Sequence, residues 1–533
     1  MFKVETIDLK TSGSINPLVL DYLDRKESLK SFYNHYPDRK GFSEILNENL
    51  FTNFDRNSLS EILLKQSLLV NNTSSFSLKK IESLKQKNVF TVTTGHQLCI
   101  FTGPLYFIYK IFSTINLAEE LKKEFPDFDF VPVYWMASED HDFEEVNHFN
   151  LFGKVFNWES KQTGAVGDFK TDELNDLSTI LKESLGSTEN AEFLSKLFEK
   201  TYLKNTNLKD ATRFLANELF GAYGLVIVDG HDVQFKHQIK EILDQEIFKN
   251  ISIEKVKEST DALNKMGYAT QVNPREINCF YLENNLRARI EKVGDKFQVL
   301  GTDISFTETE LKTLINKHPE KFSPNVVLRP IYQQIILPNI AYVGGPGELA
   351  YWLQYKKMFD ALNVLFPILI PRNFITIIDS GIKNKIDKLN FRPADFFKDI
   401  QELITEFQLK TNNVFELEKE KEEVTKLYTH IIEKVTLVDK TLNAASLAEL
   451  QKTINGLDLL ITKANKALKQ RSETELNQIT AVKQKLFPNS IPQERFDNFS
   501  GLYLKYGISF FKALKEKIQP FELNHKLFIE NIG

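Results

Sequence analysis

VTTGHQLCIFTGPLYFIYK, residues 92–110, is the stretch on which the fold turns. A β-branched run that begins at Val89 (VFTVTT) stops at Gly95-His96-Gln97, and Gly103-Pro104 then opens an amphipathic segment that reaches Phe125. The first part predicts a strand and the second a helix, and FVPVYWMAS (130–138) supplies another strand. Strand, helix and strand in that order make a βαβ unit, whose right-handed crossover requires a parallel sheet. Further strands are predicted at LVIVD (225–229), NCFYL (278–282), IAYV (340–343) and FPILI (366–370), with helices among them at 239–248 and 348–362. LRARIEKVGDKFQVL (286–300) has the pattern of a β-hairpin turning at Gly294-Asp295, inserted in the α/β domain.

The chain has 533 residues, enough for two or three domains and a large core. Its composition, 42% hydrophobic and 26% charged, is that of a globular protein. A net charge of −5 gives no reason to expect a nucleic acid or an anionic membrane as partner. MFKVETIDLKTSG lacks the apolar core of a secretory signal, and no apolar run approaches the roughly 20 residues that span a bilayer, so a cytoplasmic protein is expected. Cys99 and Cys279 are too few for a disulfide framework or a cysteine-based zinc site. Cys99, among Leu98, Ile100 and Phe101, is expected to be an apolar filler rather than a nucleophile.

Three regions are predicted. Residues 1–88 have the pattern of short helices packed on the core, 89–378 of a Rossmann-like α/β core with connecting insertions, and 379–533 of a helical coiled-coil domain. In the last, Val424, Tyr428, Ile431, Val435, Val438 and Leu442 alternate at four and three residues, and Leu447, Leu450, Ile454, Leu457, Ile461, Ala464 and Leu468 continue the alternation. That spacing holds one narrow apolar seam in line, a coiled-coil pattern. A break around Asn443-Ala444-Ala445 predicts two antiparallel helices, the second running on through Leu476, Ile479 and Val482 to Pro488. About 40 helical residues would span roughly 60 Å. So long an arm leaves surface that a second copy could cover, and a homodimer is expected.

In an open parallel sheet, ligands bind beyond the carboxyl ends of the strands. The predicted strands end in Gly95-His96-Gln97, Glu139-Asp140-His141-Asp142, Asp229-Gly230-His231-Asp232, Gly344-Gly345-Pro346-Gly347-Glu348 and Pro371-Arg372-Asn373, which places three of the nine histidines at equivalent strand ends. Pro104 suits a first helical position after Thr102-Gly103, where free amides favour a phosphate or carboxylate, with Tyr106, Tyr109 and Lys110 as added donors. EDHDFEEVNH (139–148) admits three readings: a divalent-metal site, a site holding an amine and sugar hydroxyls or supplying a general base, and a solvated acidic turn. Arg329 in LRPIYQQ is a carboxylate-clamp candidate, and so is Arg372. Neither a GxxxxGK[ST] P-loop nor a GxGxxG pattern occurs.

TGHQLCIFTGPLYFIYKI, VPVYWMASEDHDFEEVNHF, LRPIYQQIILPNIAYVGGPGELAYW and PILIPRNF, in that order, strongly resemble the bacillithiol biosynthesis cysteine-adding enzymes, the cysteine ligases. The resemblance spans nearly the whole chain. It implies a Rossmann-like core with insertions, a C-terminal coiled coil, and formation of an amide between cysteine and the free amine of glucosaminyl malate. The family's core is similar to class I nucleotidyltransferases and aminoacyl-tRNA synthetases, in which a HxGH motif near the first helix binds ATP phosphates. Here Tyr106 and Tyr109 stand where those histidines would align, Ile108 replaces the glycine, and no KMSKS-like loop is found.

A carboxylate acylates an amine at neutral pH only when its oxygen becomes a leaving group, so ATP or another nucleotide is the expected co-substrate; a metal requirement is left open. Catalytic roles are expected of His96, Asp140, His141 and Asp142. Substrate or nucleotide contacts are expected of Gly95, Gln97, Thr102, Gly103, Tyr106, Tyr109, Lys110, Arg329, Gly344, Gly345, Glu348 and Arg372. Two other functions fit the sequence: a nucleotidyltransferase activating a small carboxylate, and a metabolite-sensing scaffold that recruits partners through its coiled coil.

Overall fold

The computed structural model of the protein describes residues 1–531 other than 49, 50, 52, 53, 412, 413 and 472. Five strands form its central sheet: β1 (Val89–His96), β2 (Asp129–Met136), β3 (Val226–Asp229), β4 (Asn339–Gly344) and β5 (Ile368–Pro371), in the order β5-β4-β1-β2-β3. Every neighbouring pair is parallel. β1 is buried along all but its last residue, as expected of a strand covered on both faces. Its threonines are compatible with that burial because their hydroxyls are satisfied: Thr91 and Thr93 donate to Asn339 Oδ1 at 3.2 and 2.7 Å, and Thr94 donates to the Val343 carbonyl at 2.8 Å. The same bonds tie β1 to β4.

The chain runs outward from β1 through β2 to β3 on one side, then returns to build β4 and β5 on the other. Strand order therefore reverses between β1 and β4, and a crevice opens at their carboxyl ends. Three helices bear on it: α1 (Tyr106–Glu124), α2 (Arg329–Ile336) and α3 (Pro346–Ala361).

NCFYL forms a strand, Cys279–Glu283, outside the parallel sheet. The turn at Asn284-Asn285, with Asn285 at φ 60°, folds it back on Leu286–Val293. With Lys296–Val299, Ser305–Thr307 and Phe322–Pro324, it makes a five-stranded antiparallel sheet that contains the expected hairpin. Residues 1–88 contribute a strand, Phe2–Ile7, besides short helices, and Val19, Tyr22, Leu59 and Ile62 share a hydrophobic cluster with Val131, Val133 and Val228.

The chain divides into two compact units. One comprises Met1–Thr376 with Gln493–Phe528, and the other is built on Ile377–Pro492. Residues 493–528, at the end of the region 379–533, pack with the α/β unit. Polar anchors within that unit account for it: Asn498 Nδ2 donates to the carbonyls of Phe101 and Gly103 at 2.7 and 2.6 Å, and Asn116 Nδ2 to those of Lys515 and Ile518 at 2.9 and 2.7 Å.

In the second unit, Glu418–Val438 and Leu442–Arg471 are antiparallel helices, matched by Lys421 with Asp458 at 2.6 Å and Tyr428 with Thr453 at 3.0 Å. The turn falls at residues 439–441, where Asp439 Oδ1 accepts from the Thr441 amide at 2.8 Å, and the expected break at Asn443-Ala444-Ala445 is helical. Alanine's helix preference explains the shift. The seam also drifts: Val424, Tyr428 and Val435 are half-buried, but Val438 is 83% exposed and Ile432 takes the seam position expected of Ile431. Leu476, Ile479 and Val482 are buried in a following helix, Glu473–Leu486. Among the described residues, no helix is long and apolar enough to cross a membrane.

Candidate functional site

A cavity of about 740 Å³ opens at the carboxyl ends of the parallel strands. Gly95, His96 and Gln97 enter it from the end of β1, residues 136–141 from β2, Gly230 and His231 from beyond β3, Gly345 from beyond β4 and Arg372 from beyond β5. Tyr106 and Lys110 of α1, Arg329 of α2 and Glu348 of α3 complete its walls. Strand ends far apart in sequence therefore share one wall.

Lys110 is buried, and its ammonium bonds to the Gly95 carbonyl and to Glu348 Oε2, the latter at 2.8 Å. Glu348 also accepts from Tyr342 Oη at 2.6 Å and from the Gly345 amide at 2.8 Å, so it caps α3 while it pairs with α1. Burial pushes the Glu348 carboxyl up, but Lys110 and these donors outweigh it and hold the group below its ordinary range. A Cβ on Gly95 would stand 3.2 Å from Tyr342 Oη and 3.6 Å from Arg329 Nη1, so the bare glycine brings β1 close to the arginine.

The imidazole of His96 packs against the rings of Tyr106 and Phe107 at 5.3 and 5.0 Å. Burial, together with the Lys110 ammonium, pushes it down to about 3. Its Nε2 is buried without a hydrogen-bond partner among the described residues.

Beyond β2, Gln97 Nε2 donates to Asp140 Oδ2 at 2.9 Å, and the His141 amide donates to Asp140 Oδ1 at 2.8 Å. Burial would raise the Asp140 carboxyl; the bonds from His141 and Gln97 and the charge of Arg287 hold it well below its usual range. Arg287 Nη1 lies 2.6 Å from His141 Nδ1. Glu139 makes a second cluster: His231 Nδ1 lies 2.9 Å and Lys236 Nζ 2.5 Å from Oε1, and Ser323 Oγ donates to Oε2 at 3.1 Å. Burial raises the Glu139 carboxyl and these cations outweigh it, bringing it down to about 2.

Glu139, Lys236 and Arg287 were not among the residues singled out from sequence, although Glu139 and His231 lie in strand-end motifs that were. Arg287 and Arg289, two apart on one strand, present the same face to the cavity. That alternation was visible in LRARI, but it had no address before the hairpin's place beside the strand ends was known.

Several expected residues lie elsewhere. Pro104 does not begin α1; Leu105 precedes it at the cap, and its amide donates to the Asp497 carbonyl at 2.8 Å. Residues 497–498 cover this helix start, so it offers no open anion site. Gly103 sits at φ 60° and ψ −138°, with Cys99 Cβ 2.7 Å from where its own Cβ would be; tight packing, not a ligand, requires the glycine. Thr102 and Tyr109 are buried away from the cavity, Gly344 is buried in the end of β4, and Asp142 is exposed outside the cavity wall. Arg372 is on the wall but engaged: Nη2 and Nη1 donate to Glu494 at 2.6 and 2.9 Å. Cys99 and Cys279 are buried, and burial pushes both thiols up to about 12, which fits packing and not nucleophilic attack.

Seven cationic side chains line the cavity (Lys110, Arg275, Arg287, Arg289, Arg329, Arg372 and Arg495) against three carboxylates, Glu139, Asp140 and Glu348. Among the described residues, Arg275, Arg329 and Arg495 have no carboxylate within 4 Å, and no group of three or more His, Cys, Asp and Glu is placed to hold a metal ion. The cavity is therefore suited to an anion larger than one carboxylate, with separate acidic points for a cationic or hydroxylated part.

The histidines give a pH expectation. His96 and His525 are held down to about 3 and about 4, by burial foremost, from an ordinary value of 6.5. Between those values the unfolded chain binds more protons than the folded one. Their contribution to stability is therefore complete above about pH 6.5 and is lost as pH falls toward 4 and then 3. His525 bonds to Ser14 Oγ and Thr376 Oγ1, each at 2.9 Å, so glutamine is a suitable replacement. Urea-unfolding midpoints measured across pH should show a flatter acid limb between about pH 4 and 6.5 for His525→Gln. An unaltered slope would refute the assignment.

Residues 2–373 match the family model described as Bacillithiol biosynthesis BshC, N-terminal Rossmann-like domain, and residues 375–530 match Bacillithiol biosynthesis BshC, C-terminal coiled-coil domain. A Flavobacterium johnsoniae protein named "Putative cysteine ligase BshC" is 43% identical over 98% of this chain and 99% of its own length. Proteins of the same name from Flavobacterium psychrophilum and Christiangramia forsetii are 43% and 40% identical; they cover 97% and 98% of this chain, and 97% and 98% of their own lengths.

Proposed function

The chain belongs to the bacillithiol biosynthesis BshC family, and from that membership we propose that it is a cysteine ligase joining cysteine to the free amine of glucosaminyl malate through an amide bond. The observation that carries the reading is the charge pattern of the strand-end cavity. An excess of guanidinium groups suits the malyl carboxylates, with Arg329 the clamp beside β1, and the Asp140 and Glu348 carboxylates suit an ammonium and sugar hydroxyls. ATP or another nucleotide supplies the leaving group when bound, and Arg275 and Arg289 of the cavity wall fit its phosphates. His96 and the Asp140–His141 pair are the groups in reach of the amine.

The test combines purified protein, glucosaminyl malate, cysteine and ATP, following the amide product and the nucleotide products together. Amide formed in step with nucleotide cleavage supports the ligase. Nucleotide turnover on a small carboxylate without amide would instead favour a nucleotidyltransferase.

The protein acts as a homodimer in this proposal. The helical hairpin leaves Leu437 and Val438 beside its turn, and Leu459 and Leu460 level with Lys421 farther along it, more than half exposed, apolar patches that a second copy would cover. Sedimentation across micromolar concentrations should show a dimer that Leu459→Glu with Leu460→Glu weakens at least about tenfold while helix content is kept. A wild-type monomer throughout that range would remove self-association from the proposal.

A further inference from the structure

A second cavity, of about 310 Å³, adjoins the first and shares Gln97, Tyr106 and Arg495 with it. Cys99, 7% exposed, and Phe149, 1% exposed, line it on one side, with His148 and Asn150 also in its wall. Opposite charges stand at its rim, where Glu145 and Arg495 are both exposed, and among the described residues neither has an ion-pair partner. Gln97 holds the Glu145 carboxylate in place, donating to Oε2 at 2.5 Å, and the Arg495 guanidinium lies 5.9 Å from the Tyr106 ring centroid.

We infer that this cavity is the subsite for the amino-acid substrate, taking a zwitterion with its ammonium on Glu145, its carboxylate on Arg495 and a thiol side chain against Cys99 and Phe149. Three features select that ligand class. The volume is at the small end of the range of about 300–1,000 Å³ for ligand sites, room for an amino acid but not for a nucleotide. An anion and a cation at one rim match the two charges of an α-amino acid and mismatch a dicarboxylate. Sulfur and aromatic carbon from Cys99 and Phe149 favour a thiol over a hydroxyl at that side of the lining. The inference rests on the cysteine-ligase reading and adds a direction to it. Arg495, Tyr106 and Gln97 form the shared wall, so the amino acid's carboxylate would face the large cavity, where the amine must lie.

Neither Glu145 nor Arg495 is in the core, so their variants should remain folded. Calorimetric titration of the full chain with L-cysteine under reducing conditions should give binding that Glu145→Gln and Arg495→Met each weaken by about tenfold to a hundredfold. L-serine should bind the wild type at least about tenfold more weakly than cysteine. Wild-type affinity in both variants, or no cysteine binding by the wild type, overturns the subsite. Assays with glucosaminyl malate and ATP separate the two claims. Cysteine bound here without amide product sinks the ligase reading and leaves the pocket. Amide formed with an unchanged KM for cysteine in both variants sinks the pocket and leaves the ligase.

Discussion

Arg372→Met should destabilise the α/β unit by about 3–5 kcal/mol, the cost of leaving one partner of a buried ion pair uncompensated. Arg372 and Glu494 are 1% and 3% exposed, and two charge-assisted bonds of 2.6 and 2.9 Å join them. Glu494 also accepts from the Ile375 amide at 3.2 Å, and Arg372 Nη1 donates to the Asn373 carbonyl at 3.0 Å, so the pair pins the end of β5 to residues 493–498. Without the guanidinium, the Glu494 carboxylate must be protonated, hydrated by local opening, or buried alone. Arg372→Met with Glu494→Leu should recover most of the loss, because a matched apolar pair carries no desolvation cost. Urea unfolding of the two variants, followed by tryptophan fluorescence, measures both effects. If Arg372→Met keeps the wild-type midpoint and loses only activity, Arg372 is the carboxylate clamp expected from sequence and its structural role is refuted.

That contrast shows what the sequence could carry. The parallel sheet was legible because its strands are short, β-branched and buried on both faces, and because the β1-α1-β2 order leaves one handedness. The candidate edge was legible for the same reason: a parallel sheet places a cleft at its carboxyl ends, and His96, Asp140, His141 and Glu348 line one cavity there. Pairings between distant segments were not legible. Glu494 is 122 residues from Arg372, and nothing in PRNF announces it. The start of α1 looked like an open anion site because Asn498, which covers it, lies almost four hundred residues away. In EDHD, local sequence could not decide which carboxylates face inward. The turn after β2 sends Glu139 to Lys236 and His231 and Asp140 to Gln97, and leaves Asp142 in solvent.

If the chain is the proposed ligase, His96→Leu is expected to lower the rate of amide formation by about 10²–10³-fold, the usual effect of removing one positioned hydrogen-bonding group. Stability should hold or rise. The buried Nε2 of His96 has no hydrogen-bond partner among the described residues, and an unsatisfied buried polar atom costs about 1–3 kcal/mol. Leucine would fill the space between Tyr106 and Phe107 without that cost, so a purely structural account gives no reason for an imidazole in the wall. Because His96 is held down to about 3, it is neutral throughout the working pH range. Under the proposed ligase reading its part is to offer a lone pair or an N–H to the amine, and the variant should then lose rate evenly from about pH 6 to 9 without moving the profile. Asp142→Ala, at an exposed residue outside the cavity, should stay within about twofold of the wild type. Thermal midpoints and kcat/KM across pH, measured on both variants, decide the matter. A His96→Leu protein that melts earlier yet turns over at nearly the wild-type rate would return His96 to the core and move the search for the amine's partner to Asp140 and His141.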